Sequence, residues 1–270
     1  MTTPSPDLPD AAARKARLPK KARQDRILAE VRANASLRVG DLAADLAVST
    51  ETIRRDLFEL QEQGLVNRTY GGAVRPFAAE PAVAERHGQR VAEREAIAVR
   101  AAALVRPGEV IAIGAGATTT HVARRMAATC RDLTVITHSF SVATVLAANP
   151  TIEILMCPGR YHGREGMMVG PEAITFLADY NVNRAILGAS GITAEGLADA
   201  EAPAAQVYRA MMNRAEETVV VADHDKFDVA ALAIWARPAD IRRLVTDRAP
   251  TGTLARALER ARVEVLVAEG

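Results

Sequence analysis

No window of the chain offers 18 unbroken apolar residues, the length at which a run reads as a membrane-spanning helix. The first stretch, "MTTPSPDLPDAAARKARLPKKAR", is basic, polar and proline-containing, and it lacks the apolar core of a secretory signal. No membrane partner is therefore expected, and residues 1–18 read as a disordered basic tail. Cysteine occurs only as Cys130 and Cys157, which suits two inert thiols in a reducing compartment; the expected location is the cytoplasm. The five histidines show no metal-ligand spacing, so neither a metal nor a cofactor is expected.

What is present is an ordinary globular composition, 49% hydrophobic and 25% charged over 270 residues, for which two domains are the natural expectation. The net charge of +1 hides a split. Residues 1–75 carry 13 Lys/Arg against 10 Asp/Glu, whereas residues 76–270 carry 21 against 23. Seven basic residues and one acid lie between Arg14 and Arg26. A basic arm on a near-neutral body points to an anionic partner at one end.

Three short helices are legible before residue 64. The first runs from about Lys20 to Asn34 and the second from about Val39 to Ala47; the third lies in "VSTETIRRDLFELQEQG". In the third, Ile53, Leu57 and Leu60 recur at i, i+4 and i+7, Ser49 suits an N-cap and Gly64 a stop. The tight "AVST" connection fits a helix-turn-helix, and "LVNRTYGGAV" reads as a hairpin about Gly71-Gly72 that would form a wing. The second helix of such a pair enters the major groove by its N-terminal end. With Ile53 and Leu57 facing inward, Thr50, Thr52 and Arg54 lie toward bases, and Arg55 and Arg68 toward phosphates. The competing reading is a purely structural module whose arginines pair with Asp56 and Glu59.

Beyond a polar, alanine-rich connection at residues 76–92, strand-like runs alternate with helical segments. The strands are "EVIAIG", "LTVIT", "IEILMC", "NRAILGAS", "ETVVVAD", "IRRLVTD" and "VEVLVAE". This alternation predicts an α/β domain over residues 93–270, with a mostly parallel sheet covered by helices and ligands bound at the carboxyl ends of its strands. At the first such end, "IAIGAGATTTHVA", Gly114 and Gly116 permit a tight turn and Thr118, Thr119 and Thr120 open a helix. That arrangement suits a phosphate. It is not a Walker loop, since no Gly-Lys-Ser/Thr follows. Ser139 ends a second strand, Lys226 follows another beside Asp223 and Asp225, and Arg160 and Arg164 lie on a long glycine-containing loop that would close over an anion.

The stretch "VSTETIRRDLFELQEQGLVNRTYGGAV" resembles the signature of the DeoR family of bacterial transcriptional regulators, "VS-x-x-TIRRDL-x-x-L-x-x-x-G" followed by a basic residue and a Gly-Gly wing. The resemblance continues through "GAGATTT", "ITHSFSVA", "PGRYHGREGMMVGPEA", "LGASGI" and "ADHDKF", and the wording of the last segments is most similar to the glycerol-3-phosphate repressor branch. It implies a winged helix-turn-helix at residues 19–75 and a ribose-5-phosphate-isomerase-like sensor beyond the connection. It further implies a repressor, dimeric or tetrameric, that binds operator double-stranded DNA under control of a phosphorylated sugar or polyol. On that basis Ser49, Thr50, Thr52, Arg54, Arg55, Arg68, Gly71 and Gly72 are the expected DNA residues. The effector residues are Gly114, Gly116, Thr118, Thr119, Thr120, Ser139, Arg160, Ser190, Asp199 and Lys226. Departures occur at Gly114, where the family often has an acid, at Pro158-Gly159 in place of Gly-Gly, and at "GLADAE" in place of "GL-T". The sensor fold also resembles sugar-phosphate isomerases and deaminases, which makes an enzyme the alternative. A sugar isomerase needs a carboxylate base, and the related enzymes carry acids where this chain has Ser190 and Gly191.

Overall fold

The computed structural model describes residues 18–33, 37–62, 67–69, 72–74 and 81–268. The chain divides into two compact units, Met1–Pro76 and Phe77–Gly270.

In the first unit, α1 (Lys20–Ala33) is followed by β1 (Leu37–Arg38), α2 (Val39–Asp45) and α3 (Thr50–Glu62), then by β2 (Asn67–Thr69) and β3 (Gly72–Val74). The strands form an antiparallel sheet in the order β1-β3-β2, so the expected hairpin is present and is widened by β1. The stripe on α3 does what its spacing predicts: Ile53, Leu57 and Leu60 pack against Ile27 of α1 and Leu42 and Ala43 of α2, with Leu46 closing the core. Ser49 caps α3, its Oγ accepting the Thr52 N–H at 3.2 Å. The core also contains an ion pair. Arg23 of α1 donates Nε to Asp56 Oδ2 at 2.5 Å and Nη2 to Oδ1 at 3.0 Å, with Asp56 only 1% exposed.

The second unit opens with α4 (Val83–Arg86) and α5 (Val91–Ala102), so helix begins within the stretch read from sequence as a connection. There follow β4 (Val110–Ile113), α6 (Ala117–Thr129), β5 (Leu133–Thr137), α7 (Phe140–Leu146), β6 (Ile152–Met156), β7 (Arg160–His162), β8 (Met167–Val169) and α8 (Pro171–Ala178). The chain continues through β9 (Val182–Leu187), β10 (Gly191–Ile192), β11 (Leu197–Asp199), α9 (Ala202–Asn213), β12 (Ala215–Val221), β13 (Ala233–Ala236), β14 (Arg243–Thr246), α10 (Gly252–Arg260) and β15 (Glu264–Val267). Seven strands form one parallel sheet in the order β15-β14-β12-β9-β4-β5-β6. Helices cover both faces. Ile111, Ile113, Val135 and Val219 pack toward α5, α6 and α7, while Ala112, Ile136, Leu187 and Val220 pack toward α8, α9 and α10. The chain winds outward from β4 in one direction and from β9 in the other. The strand order therefore reverses between β4 and β9, where a crevice opens at the carboxyl ends.

Candidate functional site

Each unit presents one candidate site. On α3, Thr50, Arg54 and Arg55 are exposed, while Thr52 is half-buried with its hydroxyl 2.9 Å from Ser49 Oγ. Arg54 reaches the exposed Glu51 at 3.5 Å, a surface pair of small worth. The carboxylates that would have made these arginines structural are hydrogen-bonded to α1. Asp56 holds Arg23, and Glu59 accepts from Lys20 at 2.7 Å and Gln24 at 2.9 Å, which keeps its carboxyl below the ordinary range. Arg68 lies on β2 and Gly72 on β3, whereas Gly71 and tail residues 1–17 lie outside the described residues.

In the second unit, a pocket sits in the crevice between β4 and β9. Gly116, Thr118 and Thr119 line it from the β4–α6 turn, Ser190 from the end of β9, Asp199 from β11 and Lys226 from the 3-10 turn after β12. Sequence reasoning missed four polar lining residues: Arg86 of α4, Arg94 of α5, Glu165 of the β7–β8 turn and Tyr208 of α9. For Arg94 there was a signal. It heads an apolar stripe with Ile97, Ala98 and Ala101 at i+3, i+4 and i+7, where a charge has to be buried.

The turn is built for close approach. Gly116 has φ +129°, a conformation that favours glycine, and it precedes the first turn of α6, whose leading N–H groups have no intrahelical acceptor. Thr119 and Thr120 donate their hydroxyls back to the Gly116 carbonyl at 3.0 and 2.7 Å. Gly114 serves packing, since a Cβ there would stand 2.8 Å from the Tyr208 ring. Ser139 caps α7, accepting from Val142 N–H at 3.3 Å, and Arg160 is exposed on β7. Gly114, Thr120, Ser139 and Arg160 thus stand outside the pocket lining.

Behind the turn, buried His138 accepts the Ala115 N–H on Nε2 at 3.0 Å, which leaves the proton on Nδ1 to donate to Met168 O at 2.9 Å. Burial pushes its pKa down to about 4, so the ring is neutral. Tyr208 donates its hydroxyl to Ala115 O and meets the His138 ring edge-on, with centroids 5.6 Å apart. The turn is thereby fixed from two sides. Arg94 places Nε and Nη2 at 3.3 and 3.2 Å from Asp223 Oδ2, and its Nη1 donates to the carbonyls of Arg86 and Gln89. Arg86 donates Nε to Pro81 O at 2.9 Å and Nη2 to Glu165. Three cations and the start of a helix thus converge on one small space.

Residues 23–77 match the DeoR-like helix-turn-helix domain and residues 89–248 the DeoR C terminal sensor domain. The chain belongs to the DeoR family. It is similar to the HTH-type transcriptional repressor CsqR of Escherichia coli, 32% identical over 91% of this chain and 94% of that one. It is also similar to the HTH-type transcriptional repressor GlcR of Bacillus subtilis, 33% identical over 83% and 87% of the two chains. The glycerol-3-phosphate regulon repressor of Haemophilus influenzae is 32% identical over 85% of this chain and 90% of its own. Among solved structures, ribose 5 phosphate isomerase A from Neisseria gonorrhoeae aligns over 50% of this chain and 52% of its own, with TM-score 0.38 and 16% identity. This DeoR-family protein is a transcriptional regulator and not an enzyme.

Proposed function

We propose that this DeoR-family regulator represses a carbohydrate or polyol catabolic operon and is controlled by a phosphorylated sugar or polyol such as glycerol 3-phosphate. The reading rests on the convergence of Arg86, Arg94 and Lys226 with the Gly116 turn at the start of α6. The phosphate sits against the first-turn N–H groups and Lys226, with Ser190 and Asp199 facing the hydroxyls. On the DNA side, α3 enters the major groove: Thr50 and Arg54 read bases, while Arg55 and Arg68 hold phosphates. Modules paired in a homodimer or homotetramer read half-sites about a helical turn apart or at a multiple of it.

The test is fluorescence anisotropy of the labelled DNA upstream of this protein's own gene, titrated at fixed salt and challenged with glycerol 3-phosphate and other sugar and polyol phosphates. One compound is expected to shift specific binding, and Lys226→Ala is expected to keep operator binding while losing that response. Specific binding that no phosphate compound moves, or a Lys226→Ala protein with a normal response, defeats the assignment of the pocket.

A further inference from the structure

The pocket reads as an anion site, yet it already holds an anion supplied by the chain itself. Glu165, at the β7–β8 turn, accepts from Arg86, and the two side chains are only 12% and 10% exposed. Around them the charges balance. Arg86, Arg94 and Lys226 face Glu165 and Asp199, and Asp223 stands behind Arg94. A pocket in that state has little net attraction for a phosphate, and a phosphate sharing Arg86 with Glu165 would set two like charges side by side. The open space at its centre is small, about 30 Å³.

We infer that Glu165 is an internal competitor for the effector: its carboxylate holds Arg86 in the free protein, and the effector's phosphate displaces it. This rests on the sugar-phosphate reading of the pocket and adds to it the residue that sets its threshold. The β7–β8 turn is the piece that moves; the Arg86–Glu165 pair and a Val83 N–H to Arg164 O bond of 3.2 Å join it to α4, and a Phe140 N–H to Gly166 O bond of 3.0 Å joins it to α7. Arg86 remains, held by Nε on Pro81 O. It stands ten residues beyond the boundary at Pro76, and Arg94 grips its carbonyl. An exchange of partner on Arg86 therefore acts on α4, the first described helix of the second unit. If Glu165 holds Arg86 in nine molecules of ten or more, its removal tightens apparent effector binding by roughly tenfold or more.

The experiment is isothermal titration of the full chain and its Glu165→Gln variant with inorganic phosphate, glycerol 3-phosphate and a panel of other sugar phosphates. The amide keeps the shape of the carboxylate and removes its charge. Roughly tenfold or greater tightening in the variant is the expected result. Equal or weaker binding by a folded variant overturns the competitor role while leaving the effector pocket standing. Absence of binding by both proteins removes the pocket reading and this inference together. A second measurement needs no variant: hydrogen exchange of the parent protein, with and without whichever compound binds. Amides at residues 163–166 and at Val83 are expected to exchange faster in the bound state, against the usual direction of ligand protection. Slower exchange there overturns the proposal.

Discussion

On α3 the arginines stand in solvent, Arg54 with 56% of its side chain exposed, whereas at the pocket Arg86 and Arg94 are 10% and 4% exposed and each is held by a carboxylate. The difference suits two kinds of anion. A DNA backbone is a long array of charges presented in water, and an exposed guanidinium meets it while giving up only a weak surface pair. A single phosphate group offers one or two charges, and discrimination among small molecules requires a space closed to water, where a lone guanidinium is costly. Buried arginines therefore come with acids attached, and binding there is exchange instead of addition. Operator affinity should respond mainly to salt, and effector affinity mainly to which acid is present.

The comparison is sharpened most by the buried pair in the DNA-binding unit. Asp56 belongs with the pocket's acids in burial, but it has no ligand to yield to, so removing it simply strands Arg23. Asp56→Ala is expected to destabilise that unit by about 3–5 kcal/mol. Chemical denaturation followed by helix content should show the unit melting ahead of the sensor, with operator binding lost. A loss below about 1 kcal/mol would mean that the pair is dispensable. Next in size is His138. Its pKa is lowered to about 4 from an ordinary 6.5. Between these values the unfolded chain binds a proton that the fold refuses, so stability is fully present above pH 6.5 and is lost as pH falls toward 4. The loss reaches roughly 3 kcal/mol. Urea midpoints at pH 7 and pH 4.5 for the parent and for His138→Gln check it, since the variant should lose less stability on acidification. Parallel slopes would acquit His138.

The same contrast explains what could be read from sequence. All seven strands of the main sheet were legible, because a parallel strand covered on both faces is a continuous apolar run, as in Val110–Ile113 and Leu133–Thr137. The small antiparallel sheet of β10, β11 and β13 was not, since strands of two to four residues carry no period. On α3 the exposed arginines were legible as soon as Ile53 and Leu57 fixed the inner face. In the pocket, Gly116 and Lys226 were legible by the rule that parallel sheets bind at strand ends, and Ser190 through the family resemblance. Arg86, Arg94 and Glu165 escaped it because they come from two short helices and a hairpin, brought together across 79 residues in the case of Arg86 and Glu165. A rule about strand ends does not see a wall. Asp56 was weighed as a partner for its neighbouring arginines, and the structure gives it to Arg23, 33 residues away.

The smallest expected effects separate the two neighbouring arginines of α3. In the proposed docking Arg54 faces the groove and Arg55 its edge; both are exposed. If Arg54 holds a base, Arg54→Ala costs about 1–3 kcal/mol on the operator and relaxes the preference at one base position, while non-specific DNA is bound nearly as before. If Arg55 holds a phosphate, Arg55→Ala weakens operator and non-specific DNA alike and reduces the salt slope by about one. Anisotropy titrations at three salt concentrations, on the operator and on a scrambled duplex, measure both quantities for both variants. Exchanged behaviour would mean that α3 is rotated in the groove relative to the placement argued from Ile53 and Leu57. Identical behaviour, with neither variant changing base preference, would reduce α3 to a phosphate clamp and move sequence reading to Thr50 or to the wing that carries Arg68.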